Sequence, residues 1–196
     1  MASPQNAKPL FQLMITLLDI DPPIWRRIGV PDCTLNELHE FIQTAMGWTN
    51  SHLHRFEIGG MWYCDPNLME EDFDEFECED STTTKLSRLV PSGRKKLRFI
   101  YVYDFGDSWT HEIVFEGTRP SEDGKPLPVC VEGERACPPE DIGGPWGYEE
   151  FLEAIADPEH EQHEEFQEWS GPFDPEAFDA QEATRAMREG LPDRRD

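Results

Sequence analysis

The chain has 196 residues, 17 basic and 41 acidic, for a formal charge of −24. A field of that sign repels nucleic-acid backbones and anionic membranes and attracts cations and basic proteins. The apolar fraction of 37%, with 11% aromatic, is enough for one packed domain, and no stretch approaches the ~20 apolar residues of a membrane helix.

Residues 1–9 read as a disordered N-terminus, residues 10–189 as a single domain, and residues 190–196 as a frayed tail. From Leu10 to Leu18 the residues Phe11, Leu13, Ile15 and Leu17 alternate with Gln12, Met14 and Thr16, the period of a strand. Asp19-Ile20-Asp21-Pro22-Pro23 is a turn that no helix or central strand could contain. Ile24–Val30 returns as a second strand. Thr34 then caps a helix, with Glu37 completing a capping box. Leu35, Leu38, Phe41, Ile42, Ala45 and Met46 follow the 3.6 period to Gly47.

His52–Ile58 is the third strand, and Gly59-Gly60 turns it back into Met61-Trp62-Tyr63. Residues 68–82 read as a mobile acidic insertion with Phe73 and Phe76 interspersed. Lys85–Leu89 is a helical turn at most, capped by Thr84. The densest apolar run follows: Leu97–Tyr103 is apolar on both alternating faces, which predicts a covered central strand. Asp104-Phe105-Gly106-Asp107 breaks it. Trp109, His111, Ile113 and Phe115 then share one face of an antiparallel partner. Gly106 is expected to supply a backbone angle that a β-carbon would resist.

A loop rich in proline and cysteine is expected from Arg119 to Gly147, and Gly143-Gly144-Pro145 within it is read as irregular. Residues 148–189 are read as helices. Tyr148, Phe151, Leu152 and Ile155 mark the first, Pro158 opens the second, running to about Trp169, and the last spans Pro175 to Glu189. The fold expected is α+β: a mixed, mainly antiparallel sheet of five to six strands. It has a β-grasp-like hairpin–helix–strand start and C-terminal helices packed on the sheet.

The five cysteines Cys33, Cys64, Cys78, Cys130 and Cys137 are odd in number and irregularly spaced. The opening Met1–Asn6 has neither a basic region nor an apolar run. Together these predict a cytoplasmic protein with reduced thiols.

Four motifs carry a resemblance. They are Pro22-Pro23-Ile24-Trp25-Arg26-Arg27, then Met46–Phe56, then Tyr103–His111, then Cys137–Gly144. In that order and spacing the chain resembles the plasmid pRiA4b ORF-3-like family over about residues 10–188. The resemblance implies a compact α+β domain whose motifs converge. It supplies no biochemical activity and no catalytic residues. Some members are associated with mobile elements.

Three chemistries are weighed on the residues themselves. His52, His54, Asp104, Asp107 and His111 are candidate metal ligands for zinc, manganese or magnesium. Asp104, Asp107 and His111 are the candidate catalytic groups of a metal-dependent hydrolase or nuclease. Against this, His54 and His111 share faces with Phe56, Ile58, Ile113 and Phe115, the setting of packed core histidines. Gly106-Asp107-Ser108, with Asp157 and His160 in D-x-x-H spacing, is a weaker pointer to a serine hydrolase. Cys130, Cys137, His160 and His163 are too widely spaced for a typical zinc site. The reading preferred from sequence is a non-enzymatic interaction or accessory module for a protein partner, itself basic. Trp25, Arg27, Trp48, Tyr103 and Trp109 are its binding set, and tight nucleic-acid binding is not expected, because the basic groups are scattered.

Overall fold

The computed structural model describes residues 9–68, 78–90, 97–121 and 127–191. Its elements in chain order are β1 (Leu10–Leu17), β2 (Ile24–Val30), α1 (Leu35–Met46), β3 (His54–Ile58), β4 (Met61–Cys64), β5 (Cys78–Asp80), α2 (Leu86–Leu89), β6 (Arg98–Tyr103), β7 (Trp109–Arg119), β8 (Val129–Glu134), α3 (Gly144–Ala156), α4 (His163–Ser170) and α5 (Ala180–Glu189). The expected segments 1–8 and 192–196, and the stretch 69–77 with Phe73 and Phe76, lie outside the described residues.

The strands form one sheet of eight, in the order β5-β4-β3-β6-β7-β1-β2-β8, where five to six were expected. All pairings are antiparallel except β4 with β5. The two extra strands are the edges. β5 is the Cys-Glu-Asp end of the acidic stretch, which has no strand propensity of its own. Instead it is tied to β4 by a Cys64–Cys78 disulfide and by the Ser81 N–H donating to the Cys64 carbonyl at 2.9 Å. That bond corrects the expectation of reduced thiols throughout; Cys33, Cys130 and Cys137 are free. β8 is a Val-Cys-Val alternation hidden between prolines and Gly133, and it gains its order by pairing with β2.

The hairpin–helix–strand opening forms, but β3 does not return beside β1; β6 and β7 lie between them. These two are the central hairpin expected from sequence, with Tyr103 opposite Trp109 and Tyr101 opposite His111. The capping box of α1 is present, since Thr34 Oγ1 accepts from Glu37 N and Glu37 Oε2 accepts from Thr34 N. Gly47 ends the helix at φ 99°, an angle that favours glycine. The inner faces of β1, β2, β6 and β7 (Leu13, Ile15, Ile28, Phe99, Tyr101, Ile113) meet Leu38 and Ile42 of α1, Phe151 of α3 and Met187 of α5 in one core.

Several boundaries move for identifiable reasons. β3 begins at His54, because the preceding residues are drawn into a loop. Gly144 and Pro145 open α3 instead of lying outside it; a proline in the first helical turn gives up an N–H that has no helical partner there. α4 begins at His163, not at Pro158, after local bonds from His160 N to Asp157 O and from Glu159 N to Asp157 Oδ1. α5 begins at Ala180, where Asp179 caps Gln181 and Glu182. α2 follows Lys85, which makes no side-chain cap.

Candidate functional site

Three of the four motif segments meet at one end of the central hairpin. The β6–β7 turn opens with Asp104 at φ 56° and closes with Ser108 at φ 57°, so these two residues take the left-handed angles. Gly106, to which the sequence reading assigned such an angle, does not. Asp104 holds the turn by accepting Gly106 N at 2.9 Å and Asp107 N at 3.3 Å on Oδ1, an Asx-type arrangement. Its own N–H donates to Leu53 O at 2.9 Å, which draws in the loop before β3. Asp107 turns the other way, and its Oδ2 accepts the Gly143 N–H at 3.1 Å, fixing the loop that leads into α3. The contact is close: a β-carbon on Gly144 would lie 2.5 Å from the Asp107 carbonyl oxygen.

Tyr103 pins both flanking loops. Its hydroxyl accepts Ser51 N at 2.9 Å and donates to Glu140 Oε1. Glu140 also accepts from the Thr49 hydroxyl and, at 3.2 Å, from Thr49 N. Burial works to raise the Glu140 pKa, but the hydrogen bonds from Thr49 and Tyr103 outweigh it and hold the carboxylate below its usual range. Burial and then the Glu140 bond push the Tyr103 hydroxyl upward.

This scaffold brings together His52, Asp104 and Asp141, the one set of three metal-capable side chains that converges among the described residues. His52 Nε2 lies 2.9 Å from Asp141 Oδ1 and 3.6 Å from Asp104 Oδ2, and all three ligand atoms fall within 4.8 Å of one another. Asp104 is buried, while His52 is half-buried and Asp141 exposed at the mouth.

The other predicted ligands are elsewhere. His52 precedes β3, so it does not share a strand face with His54. His54 is buried and stacks on His39 with ring centroids 3.5 Å apart. Burial, and then His39, hold its pKa well below the ordinary histidine value. His111 is fully buried against Tyr101 and Trp48, and burial lowers its pKa to about 4. Among the described residues the two nitrogens of His54 have no hydrogen-bond partner, while for His111 the backbone of Tyr101 and Trp109 only partly opposes the effect of burial. Asp107 is committed to the Gly143 N–H. The five-residue constellation therefore does not assemble, because two of its imidazoles are part of the core.

The predicted binding set divides in the same way. Trp48, Tyr103 and Trp109 are buried, Trp48 donating to Pro138 O at 2.9 Å. Trp25 and Arg27 are half-buried on β2, where Arg27 pairs with Glu116 and Glu132. Arg26 is buried and donates to the carbonyls of Ala45, Trp25, Glu134 and Arg135, not to a carboxylate. Ser108 Oγ lies 3.4 Å from Phe105 O and has no imidazole partner among the described residues. Asp157 and His160 serve their own turn. Cys130 is buried in β8, and His163 bonds the Ala154 carbonyl.

Sequence reasoning missed Asp141, Glu140 and the exposed Trp146. Glu140 and Asp141 stood in a quoted motif, but their Cys-Pro-Pro context suggested only a rigid loop. It also missed the buried network of His39, Gln43, Asn50 and Tyr101. Gln43 Nε2 donates to the Tyr101 hydroxyl at 3.0 Å, and His39 Nδ1 lies 2.7 Å from that hydroxyl. Asn50 Oδ1 can only accept, so His39 Nε2–H donates to it at 2.9 Å, and Nδ1 is left to accept the Tyr101 hydroxyl proton.

The chain is similar to a protein family and to known proteins. A family model described as "Plasmid pRiA4b ORF-3-like protein" matches residues 9–182. "Uncharacterized protein y4hQ" of Sinorhizobium fredii (strain NBRC 101917 / NGR234) is 43% identical over 164 residues, covering 83% of this chain and 81% of that one. The crystal structure of a protein of unknown function, MM3350 from Methanosarcina mazei Go1, superposes with a TM-score of 0.76 at 39% identity, covering 88% of this chain and 96% of that one.

Proposed function

Given that the chain belongs to the plasmid pRiA4b ORF-3-like family, whose name states no reaction, we propose that it is a cytoplasmic, non-enzymatic interaction or accessory module. In this reading it holds a basic protein segment at the head of α3. The observation that carries the reading is Trp146, which is 84% exposed on a chain of charge −24. Trp146 turns a large, rigid aromatic face to water at the head of α3, where a partner can cover it. A tryptophan face beside carboxylates suits a lysine or arginine side chain, by cation–π contact and by charge. Glu149 and Glu150, exposed three and four residues further along α3, supply the carboxylates on its side of the helix. The same charge opposes phosphate backbones, so tight binding to nucleic acid is not part of the function. An accessory role to a mobile element would act through the same contact.

The test is a fluorescence-polarisation titration of a labelled Lys/Arg-rich peptide at physiological salt, on the parent and on Trp146→Ala. Saturable binding that weakens at least about tenfold in the variant, with an unchanged melting temperature, supports the reading. Equal binding by both proteins, or binding that never saturates, refutes it.

A further inference from the structure

The loop end of the sheet contains a second feature, independent of Trp146. Asp104 is only 7% exposed, and its two carboxylate oxygens differ in role. Oδ1 accepts two backbone N–H groups, whereas Oδ2 accepts no hydrogen bond among the described residues and points toward His52. His52 Nε2 is shielded from solvent and makes no in-line hydrogen bond among the described residues, although Asp141 Oδ1 is 2.9 Å away. The shielded His52 nitrogen therefore faces two carboxylate oxygens without a hydrogen bond that satisfies it, and the three atoms lie within 4.8 Å of one another. A cation between them would give that nitrogen a partner and draw the two carboxylates together. Two ligands each about 2.1 Å from a metal stand roughly 3 to 3.5 Å apart, and the His52 contacts of 2.9 and 3.6 Å lie within about 0.1 Å of those limits.

We propose that His52 Nε2, Asp104 Oδ2 and Asp141 Oδ1 bind a divalent transition-metal cation, with positions left open for water or a ligand. One imidazole nitrogen and two carboxylate oxygens suit Mn²⁺ or Zn²⁺. The surrounding bonds hold each ligand before any metal arrives. Ser51, next to His52, and Glu140, next to Asp141, are both tied to the Tyr103 hydroxyl. Asp104 is fixed by its own turn, and Asp107 anchors the Asp141 loop through Gly143 N. Such outer contacts orient ligands and tune affinity. Asp107 is thus a positioning residue here, not a ligand as the sequence reading had it.

The experiment is calorimetric titration of the full chain with MnCl₂ and with ZnCl₂ at pH 7.5 and 150 mM NaCl. The same titrations are run on His52→Gln, Asp141→Asn and Asp107→Ala, each beside a thermal melt. Mn²⁺ matters because the free cysteines favour zinc but not manganese. One equivalent should bind the parent. Binding should be lost in His52→Gln and Asp141→Asn at unchanged melting temperature, and weaken about 10- to 100-fold in Asp107→Ala. Asp141 is exposed, so its variant remains informative even if His52→Gln is unstable. Stoichiometric binding that survives Asp141→Asn overturns the assignment, as does only weak, multi-equivalent binding to the acidic surface. The peptide titration of Trp146→Ala reads the partner site separately, so either proposal can fail without the other.

Discussion

Acid should unfold this protein partly through His111, and the size of the effect follows from where the ring sits. His111 is fully buried opposite Tyr101, and burial lowers its pKa from 6.5 to about 4. Above pH 6.5 the ring is neutral in both folded and unfolded chains and costs nothing. Between pH 6.5 and about 4 the unfolded chain takes up a proton that the native state refuses, so native stability falls as pH falls. The loss from this one residue is roughly 1 kcal/mol at pH 5.5 and roughly 3 kcal/mol at pH 4.5. His54 acts in the same direction. The perturbation that isolates His111 is His111→Leu, which is close in volume and cannot titrate. Urea unfolding at pH 7.5, 5.5 and 4.5 gives the free energies of parent and variant, and their difference cancels the carboxylates and His54. At pH 7.5 the variant should be about as stable as the parent, because removing two buried ring nitrogens offsets the loss of their backbone contacts at Tyr101 and Trp109. At pH 4.5 it should have gained roughly 3 kcal/mol on the parent relative to pH 7.5. Parallel losses in the two proteins would refute the argument, showing that the native ring accepts its proton freely.

Other expectations concern packing and the loops. Trp109→Ala should cost ~3–5 kcal/mol in urea unfolding, since the ring is 1% exposed in the core. Gly144→Ala should destabilise far more than Gly106→Ala: its β-carbon meets the Asp107 carbonyl at 2.5 Å with φ at 71°, while that of Gly106 meets only Asp104 Oδ1 at 3.2 Å, and paired thermal melts rank them. Tyr103→Phe should cost about 1–2 kcal/mol and speed hydrogen exchange at Ser51, whose N–H loses its acceptor; unchanged exchange there would mean the hydroxyl does not hold the loop. Cys64→Ser should lower stability by about 3 kcal/mol under oxidising conditions and leave it unchanged in excess reductant, because the bridge closes a loop of 14 residues.

The sequence by itself determined the local elements whose chemistry is written in a few adjacent residues. The Thr34–Glu37 box and Gly47 bound α1. The Gly59-Gly60 pair set the β3–β4 register, with Ile58 opposite Met61. The apolar density of residues 97–115 put the β6–β7 hairpin at the centre. These signals are short-range, so they survive without any knowledge of neighbours. The tertiary structure alone decided the edges, since β5 and β8 exist only because a disulfide and a partner strand order them. It also decided the site. The stretch holding His52, His54, Asp104, Asp107 and His111 looks uniform along the chain, but strand alternation sends His54 and His111 into the core. His52 and Asp104, in loops just outside the strands, are left facing a third segment. Asp141 joins them from 37 positions beyond Asp104, through a loop held by Asp107 and Tyr103. No pattern within a window of sequence encodes that meeting, because it depends on which strand ends the sheet brings side by side.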